Sequence, residues 1–265
     1  MANHSHHHDH DFYIPAPSIW PPISCLGAGM GMAGFVMYLH LHPQIIGISL
    51  MATGIAILLM AAFQWFFMLV RESRARGFGT GAVPMVLDLA NRYGMMFFIA
   101  SEVMFFAAFF AAYFFLREHN PEWPPSNIHT MDLYLPIINT LLLLSSGATI
   151  TWAHHSVLHN RRSDAILATF LTWQLGLIFL ACQATEYHHA AYGLSSGVYG
   201  TIFYMLTGFH GFHVFLGSCM LMFLHLRLAR GDFSRHNHFF FEGVAWYWHF
   251  VDVVWIGLFL FVYVL

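Results

Sequence analysis

Long apolar runs broken by short polar punctuation organise this chain. Hydrophobic residues continue, without the alternation a half-buried strand would show, over 18–38, 44–70, 84–116, 134–157, 165–189, 197–227 and 240–265. A helix rises about 1.5 Å per residue, so about 20 apolar residues cross the roughly 30 Å hydrocarbon core of a bilayer. The seven runs therefore predict seven membrane-spanning helices and an all-α, polytopic membrane protein. Pro15, Pro17, Pro21 and Pro22 introduce the first run. Gly27, Gly31 and Gly34 follow at a spacing that lets a neighbouring helix backbone approach closely. His42 and Pro43 make a tight return, so the first two runs form a hairpin. The third opens at Pro84, a favoured first helical position, and is long enough that its helix must tilt or project into water. The expected organisation is a His-rich tail at 1–17, a two-helix hairpin at 18–72, a linker at 73–83 and a five-helix bundle at 84–265.

Charge is sparse enough to place residue by residue. Charged residues make up 9% of the chain against 58% hydrophobic, and the mean hydropathy is +0.60. All ten basic residues are arginines. Arg71, Arg74, Arg76 and Arg92, then Arg161 and Arg162, then Arg227, Arg230 and Arg235 occupy alternate loops, and Arg117 stands alone on the other side. The positive-inside rule makes those loops cytoplasmic, which puts the N-terminus inside and the C-terminus outside. Nothing here forms the basic patch that a nucleic-acid backbone requires, so nucleic acid is not an expected partner. Cys25, Cys182 and Cys219 are odd in number and lie in apolar segments, which reads as packing rather than a disulfide framework. His4, His6, His7, His8 and His10, interleaved with Asp9 and Asp11, suit a weak metal-binding tail, and their irregular spacing argues against an expression tag.

Several polar residues sit where lipid cannot satisfy them. Glu102 lies ten residues beyond Arg92, hence roughly 15 Å deep, and its own helix offers only Ser101 within a turn. A charged side chain at the centre of a span costs about 2.5 to 3.5 kcal/mol on insertion scales. On the last run Glu242, Trp246, His249 and Asp252 recur at helical spacing and line one stripe. His210 and His213, Gln183 and Glu186, and the pair His154 and His155 add further inward-facing groups. Paired histidines could ligate haem or a metal, although adjacent histidines diverge by about 100° on a helix. Glu102, Glu186, Glu242 and Asp252 could carry protons or ions, although the chain lacks the broken helices and repeated halves of transporters. The third reading is an accessory membrane subunit whose polar stripes hold its helices together.

Longer motifs carry a resemblance. RYGMMFFIASEVMFF at 92–106, TWAHHS at 151–156, GVYG at 197–200, TGFHGFHV at 207–214 and AWYWHFVDVVW at 245–255 resemble the subunit III family of cytochrome c oxidases, and the likeness runs from PSIWP at 17–21 to the C-terminus. The resemblance implies seven helices split two and five, with a V-shaped cleft that holds phospholipids. It implies no catalytic residue, metal, haem or copper in this chain, the haems and copper belonging to partner subunits. Subunit I would be the direct partner, beside subunit II and a small subunit IV. By the same resemblance Glu102 is the cleft carboxyl that carbodiimides modify, and Arg71, Arg227 and Arg230 meet lipid headgroups. Gly79 and Asp232 depart from the family pattern, and the connection at 117–131 is short for it. The expected function is a non-redox accessory subunit of a proton-pumping haem-copper oxidase that passes electrons from cytochrome c to O2. It would stabilise subunit I, hold lipids and collect protons on the tail histidines, in a bacterial inner membrane with the N-terminus cytoplasmic and the C-terminus periplasmic. The third subunit of a quinol oxidase is the alternative, although that subunit usually lacks the first two helices.

Overall fold

A computed structural model describes residues 17–40, 43–75, 85–125, 133–233 and 238–265. Among them are seven helices and no strand: α1 (Trp20–His40), α2 (Gln44–Ala75), α3 (Met85–His119), α4 (Tyr134–Leu158), α5 (Arg162–His189), α6 (Gly197–Arg230) and α7 (Phe239–Leu258), the last running on into a π-helical end, Phe259–Val264. All seven are long and apolar enough to cross a membrane. The all-α, seven-span expectation therefore holds, with helices that outrun the apolar runs: α2 reaches Ala75 and α3 reaches His119. Hydropathy marks where lipid ends, whereas a helix satisfies its own backbone on both sides of that boundary. Pro84, Gly79 and the tail histidines lie outside the described residues.

The chain divides into two units, Met1–Val86 and Leu87–Leu265. In the first, α1 and α2 run antiparallel with glycines facing across the seam. A Cβ on Gly34 would fall 2.7 Å from the Cα of Met51, and one on Gly27 would fall 3.0 Å from the carbonyl oxygen of Gly54. Gly47 and Gly54 of α2 are as tightly opposed to α1 backbone. The spacing of Gly27, Gly31 and Gly34 thus marks the contact face, and its counterpart on α2 is the Gly47 and Gly54 pair.

In the second unit, α7 is packed against the other helices through two fully buried indoles. Trp248 is wedged between Gly176 of α5 and Gly217 of α6, and its Nε1 donates to Ser146 Oγ of α4 at 2.8 Å. Trp255 donates to Thr140 Oγ1 at 3.0 Å and meets the edge of Phe179 at 4.8 Å between centroids. Lipid tails are as apolar as leucine, so helices inside a bilayer are held by close packing and interhelical hydrogen bonds rather than by escape from water. Both indoles supply both terms. Thr149 of α4 and Thr172 of α5 add a hydroxyl pair at 2.9 Å. Helix α3 joins through Tyr113, whose hydroxyl donates to the Phe261 carbonyl at 2.8 Å. Helix α6 ends at Gly231, whose φ of 84° is free of steric cost in glycine. Its N–H and that of Asp232 close the last turn on Leu228 and Arg227.

Candidate functional site

The carboxyl of Glu102 is not alone. It projects from α3 towards α6, where His213 Nε2 lies 2.8 Å from its Oε2. Ser101, the only candidate partner its own helix offered, instead donates back to the Phe98 carbonyl at 2.6 Å. The other nitrogen of His213, Nδ1, is 2.6 Å from the Phe209 carbonyl. A carbonyl only accepts, so Nδ1 carries a hydrogen and Nε2 is the atom turned to Glu102. One proton then lies between Oε2 and Nε2, as O–H···N or as O⁻···H–N⁺, and the bond persists in either form. The side chains are 22% and 10% exposed, and the rings of Phe105, Phe106 and Tyr247 surround the imidazole. His210 does not join this pair. It is buried against different neighbours, stacked on Trp255 at 5.2 Å, with neither nitrogen hydrogen bonded. Three residues along a helix leave a difference of about 60° in direction, enough here to send the two histidines to different neighbours.

A second cluster ties together three helices nearer the arginine-rich end. Arg92 of α3 donates to Asp88 one turn before it at 2.9 Å and contacts Glu242 of α7 at 2.5 Å. The other Glu242 oxygen is 3.1 Å from His238 Nε2 and 3.8 Å from His154 Nε2 of α4. His154 also stacks on Phe241, while its neighbour His155 is exposed, so the adjacent histidines diverge as expected. The donor atoms of His154, His238 and Glu242 lie within 4.8 Å of one another, close enough to share an ion. Arg92 already holds one Glu242 oxygen, and its charge would oppose a dication there, so the residues form an ion-pair network. In the sequence Arg92 marks orientation, the depth of Glu102 and the start of a family motif but no partner for Glu242, and His238 does not stand out. The signal lay in the four-residue spacings of Asp88 to Arg92 and of His238 to Glu242.

The remaining candidates scatter. The stripe on α7 splits, with Glu242 in the network above and Asp252 buried against Gly147 of α4. Thr151 Oγ1 lies 3.3 Å from His249 Nε2. Glu186 is buried in the bundle with both oxygens unpartnered, and Gln183 accepts from Asn139 at 3.4 Å. Beyond the membrane-spanning segments, burial raises the pKa of the Tyr192 phenol. Arg71 is exposed on α2, its guanidinium 5.8 Å from the Phe67 ring centroid. Arg227 donates to Asp232 at 3.2 Å and lies over Phe233 and Phe240 at 4.8 and 5.2 Å. Arg230 is exposed on the last turn of α6. His4, His6, His7, His8 and His10 are outside the described residues.

Comparison with known proteins agrees with the motifs. The family model described as cytochrome c oxidase subunit III matches residues 10–265. Among curated proteins, the chain is 43% identical over 263 residues to "Cytochrome c oxidase subunit 3" of Dugong dugon, covering 97% of this chain and 98% of that one. It is 42% identical over 260 residues to the proteins of the same name from Marchantia polymorpha, covering 96% of each chain, and from Chondrus crispus, covering 96% of this chain and 93% of the other.

Proposed function

Because the chain belongs to the cytochrome c oxidase subunit III family, we propose that it is a non-redox accessory subunit of a proton-pumping haem-copper oxidase, one that stabilises subunit I and carries bound phospholipid. The observation that carries this reading is how the polar groups inside the spans are used. Glu102 is matched to His213 of α6, and Glu242 to Arg92 of α3 and His154 of α4, each across helices, with His238 one turn before Glu242 adding a contact within α7. Such pairing makes a rigid bundle from helices that lipid would otherwise leave unsatisfied. The haems and copper of the oxidase would sit in partner subunits.

Lipid headgroups would be met on the first unit by Arg71, which is exposed on α2, and on the second by the exposed Arg230 and by Arg227 at the end of α6. A guanidinium at the membrane interface suits a headgroup phosphate. The tail histidines would gather protons: imidazole has a pKa of about 6.5, so near neutral pH it exchanges protons readily with bulk water and with acceptors on subunit I. Arginine placement supports an N-terminus on the inner side, which in a bacterial inner membrane is the cytoplasm.

Stripping the chain from the native complex with detergent tests the reading. Haem absorption and initial O2 reduction should stay with the remaining core, while proton pumping or catalytic lifetime falls. A haem band that leaves with the chain would refute it. In the same assay, exchanging His4, His6, His7, His8 and His10 for Gln should slow proton uptake above neutral pH, and an unchanged pH profile would remove the antenna role.

A further inference from the structure

The outer face shared by α4 and α7 holds a polar group that neither cluster uses. His249 lies ten residues into α7 and Thr151 seven residues before the end of α4, so they sit about 15 Å and about 10 Å inside their helices. Both are therefore within the hydrocarbon depth rather than at the headgroups. Thr151 gives its hydroxyl proton to the Gly147 carbonyl at 2.9 Å and so can only accept from His249 Nε2, 3.3 Å away. His249 Nε2 then carries a hydrogen, and Nδ1 is left as the atom needing a partner. The nearest is Asp252 Oδ2 at 3.7 Å, beyond hydrogen-bond reach, and Asp252 Oδ1 is itself buried without a partner.

Yet His249 is 45% exposed. It lies on a strip with Leu144, Ala148 and Thr151 of α4 and Val253 and Ile256 of α7, all of them exposed on the chain. Two other exposed hydroxyls on the spans return their bond to their own helix, Ser101 to Phe98 and Thr185 to Ala181. His213 likewise turns Nδ1 back to the Phe209 carbonyl, but among the hydrogen bonds described His249 has no such bond to its own helix. Acyl chains offer it no hydrogen bond, and a headgroup does not reach this depth. Ala148 is small, so another backbone can come close beside it.

We infer that the α4 and α7 strip around His249 is a seat for a transmembrane helix of another oxidase subunit, and that this helix presents a hydrogen-bond donor, a hydroxyl or carboxamide, to His249. The inference rests on the accessory-subunit reading, since it takes the chain to be assembled in the oxidase.

A photo-crosslinking amino acid placed at Val253 in the native complex tests it, with Leu177 on the exposed face of α5 as control. The Val253 probe should yield an adduct of this chain with a second subunit, mapped by mass spectrometry to a membrane helix carrying Ser, Thr, Asn or Gln, and the Leu177 probe should not. Adducts with lipid alone, or with residues 20–72 of the same chain, would overturn the inference. As a second measurement, H249F should cut the amount of chain co-purifying with the haem-containing core about tenfold, the scale of one buried polar group left unpaired, whereas H249Q keeps a donor and acceptor and should be retained. Equal retention of H249F and wild type would also overturn it. Wild-type chain that never co-purifies with haem would instead defeat the accessory-subunit reading itself.

Discussion

Which atom holds the shared proton decides how Glu102 responds to substitution. Because His213 Nδ1 is committed to the Phe209 carbonyl, Nε2 can accept from a neutral partner. Glu102→Gln supplies an amide N–H to that nitrogen, an N–H···N bond in place of the neutral O–H···N one. Glu102→Ala leaves the imidazole unpaired among aromatic rings, which costs about 1 to 3 kcal/mol. The expected order of thermal inactivation midpoints in the purified complex is wild type close to E102Q, with E102A clearly lower. A double-mutant cycle with His213→Ala should return a coupling of about 0.5 to 3 kcal/mol. If E102Q loses as much as E102A, the pair is ionised and its charge is what stabilises it. The carboxyl itself was legible in the sequence, because an acid ten residues past Arg92, deep in an apolar run, stands out. Its partner was not: residue spacing relates groups on one helix, and His213 reaches Glu102 only after α3 and α6 are packed side by side.

Helix packing makes a similar contrast among the glycines. Spacing revealed the α1 and α2 seam, since Gly27 and Gly34 repeat on one helix and face Gly47 and Gly54 on the next. No spacing could reveal that Gly176 of α5 and Gly217 of α6 make room for one side chain on α7. A Cβ on Gly176 would lie 2.7 Å from the Trp248 ring, and one on Gly217 would lie 2.8 Å from it, whereas Gly211 has nothing within 4 Å. Gly176→Ala and Gly217→Ala should each destabilise by about 1 to 3 kcal/mol, by overpacking the indole and straining its bond to Ser146. Their combined effect should depart from the sum, because both press on the same ring. Gly211→Ala, on the same helix as Gly217, should be neutral or slightly stabilising through helix propensity. Unfolding midpoints of the three variants check the ranking, and a Gly211→Ala as damaging as Gly217→Ala would show that α6 packing is not organised around Trp248.

At the scale of the whole molecule, sparse charge let each arginine be read individually, but Arg71, Arg92, Arg162, Arg227 and Arg230, read as loop residues, lie in helices that run past the apolar stretches. What the sequence could not give is which arginines the chain already uses. Arg227 is one of the arginines proposed to meet a lipid headgroup, but Asp232 accepts from its Nε, and two aromatic rings lie against it. A headgroup phosphate at Arg227 must therefore compete with a carboxylate of like charge held 3.2 Å away. Arg230, three residues further on and exposed, meets no such rival among the contacts described. Each cation near an anionic surface contributes about 1 kcal/mol, so replacing Arg230 by Ala should lower the phospholipid retained per haem in the purified complex. Asp232→Asn should raise it, since the change removes the competing charge while the Phe233 and Phe240 rings still position the guanidinium. Arg227→Ala should lower both retained lipid and thermal stability, the second through loss of the cation–π contacts that bridge α6 to the start of α7. Lipid phosphate measured against haem separates these outcomes: if Asp232→Asn leaves it unchanged while Arg227→Ala lowers only stability, Arg227 is a structural brace and any lipid clamp on this unit rests on Arg230.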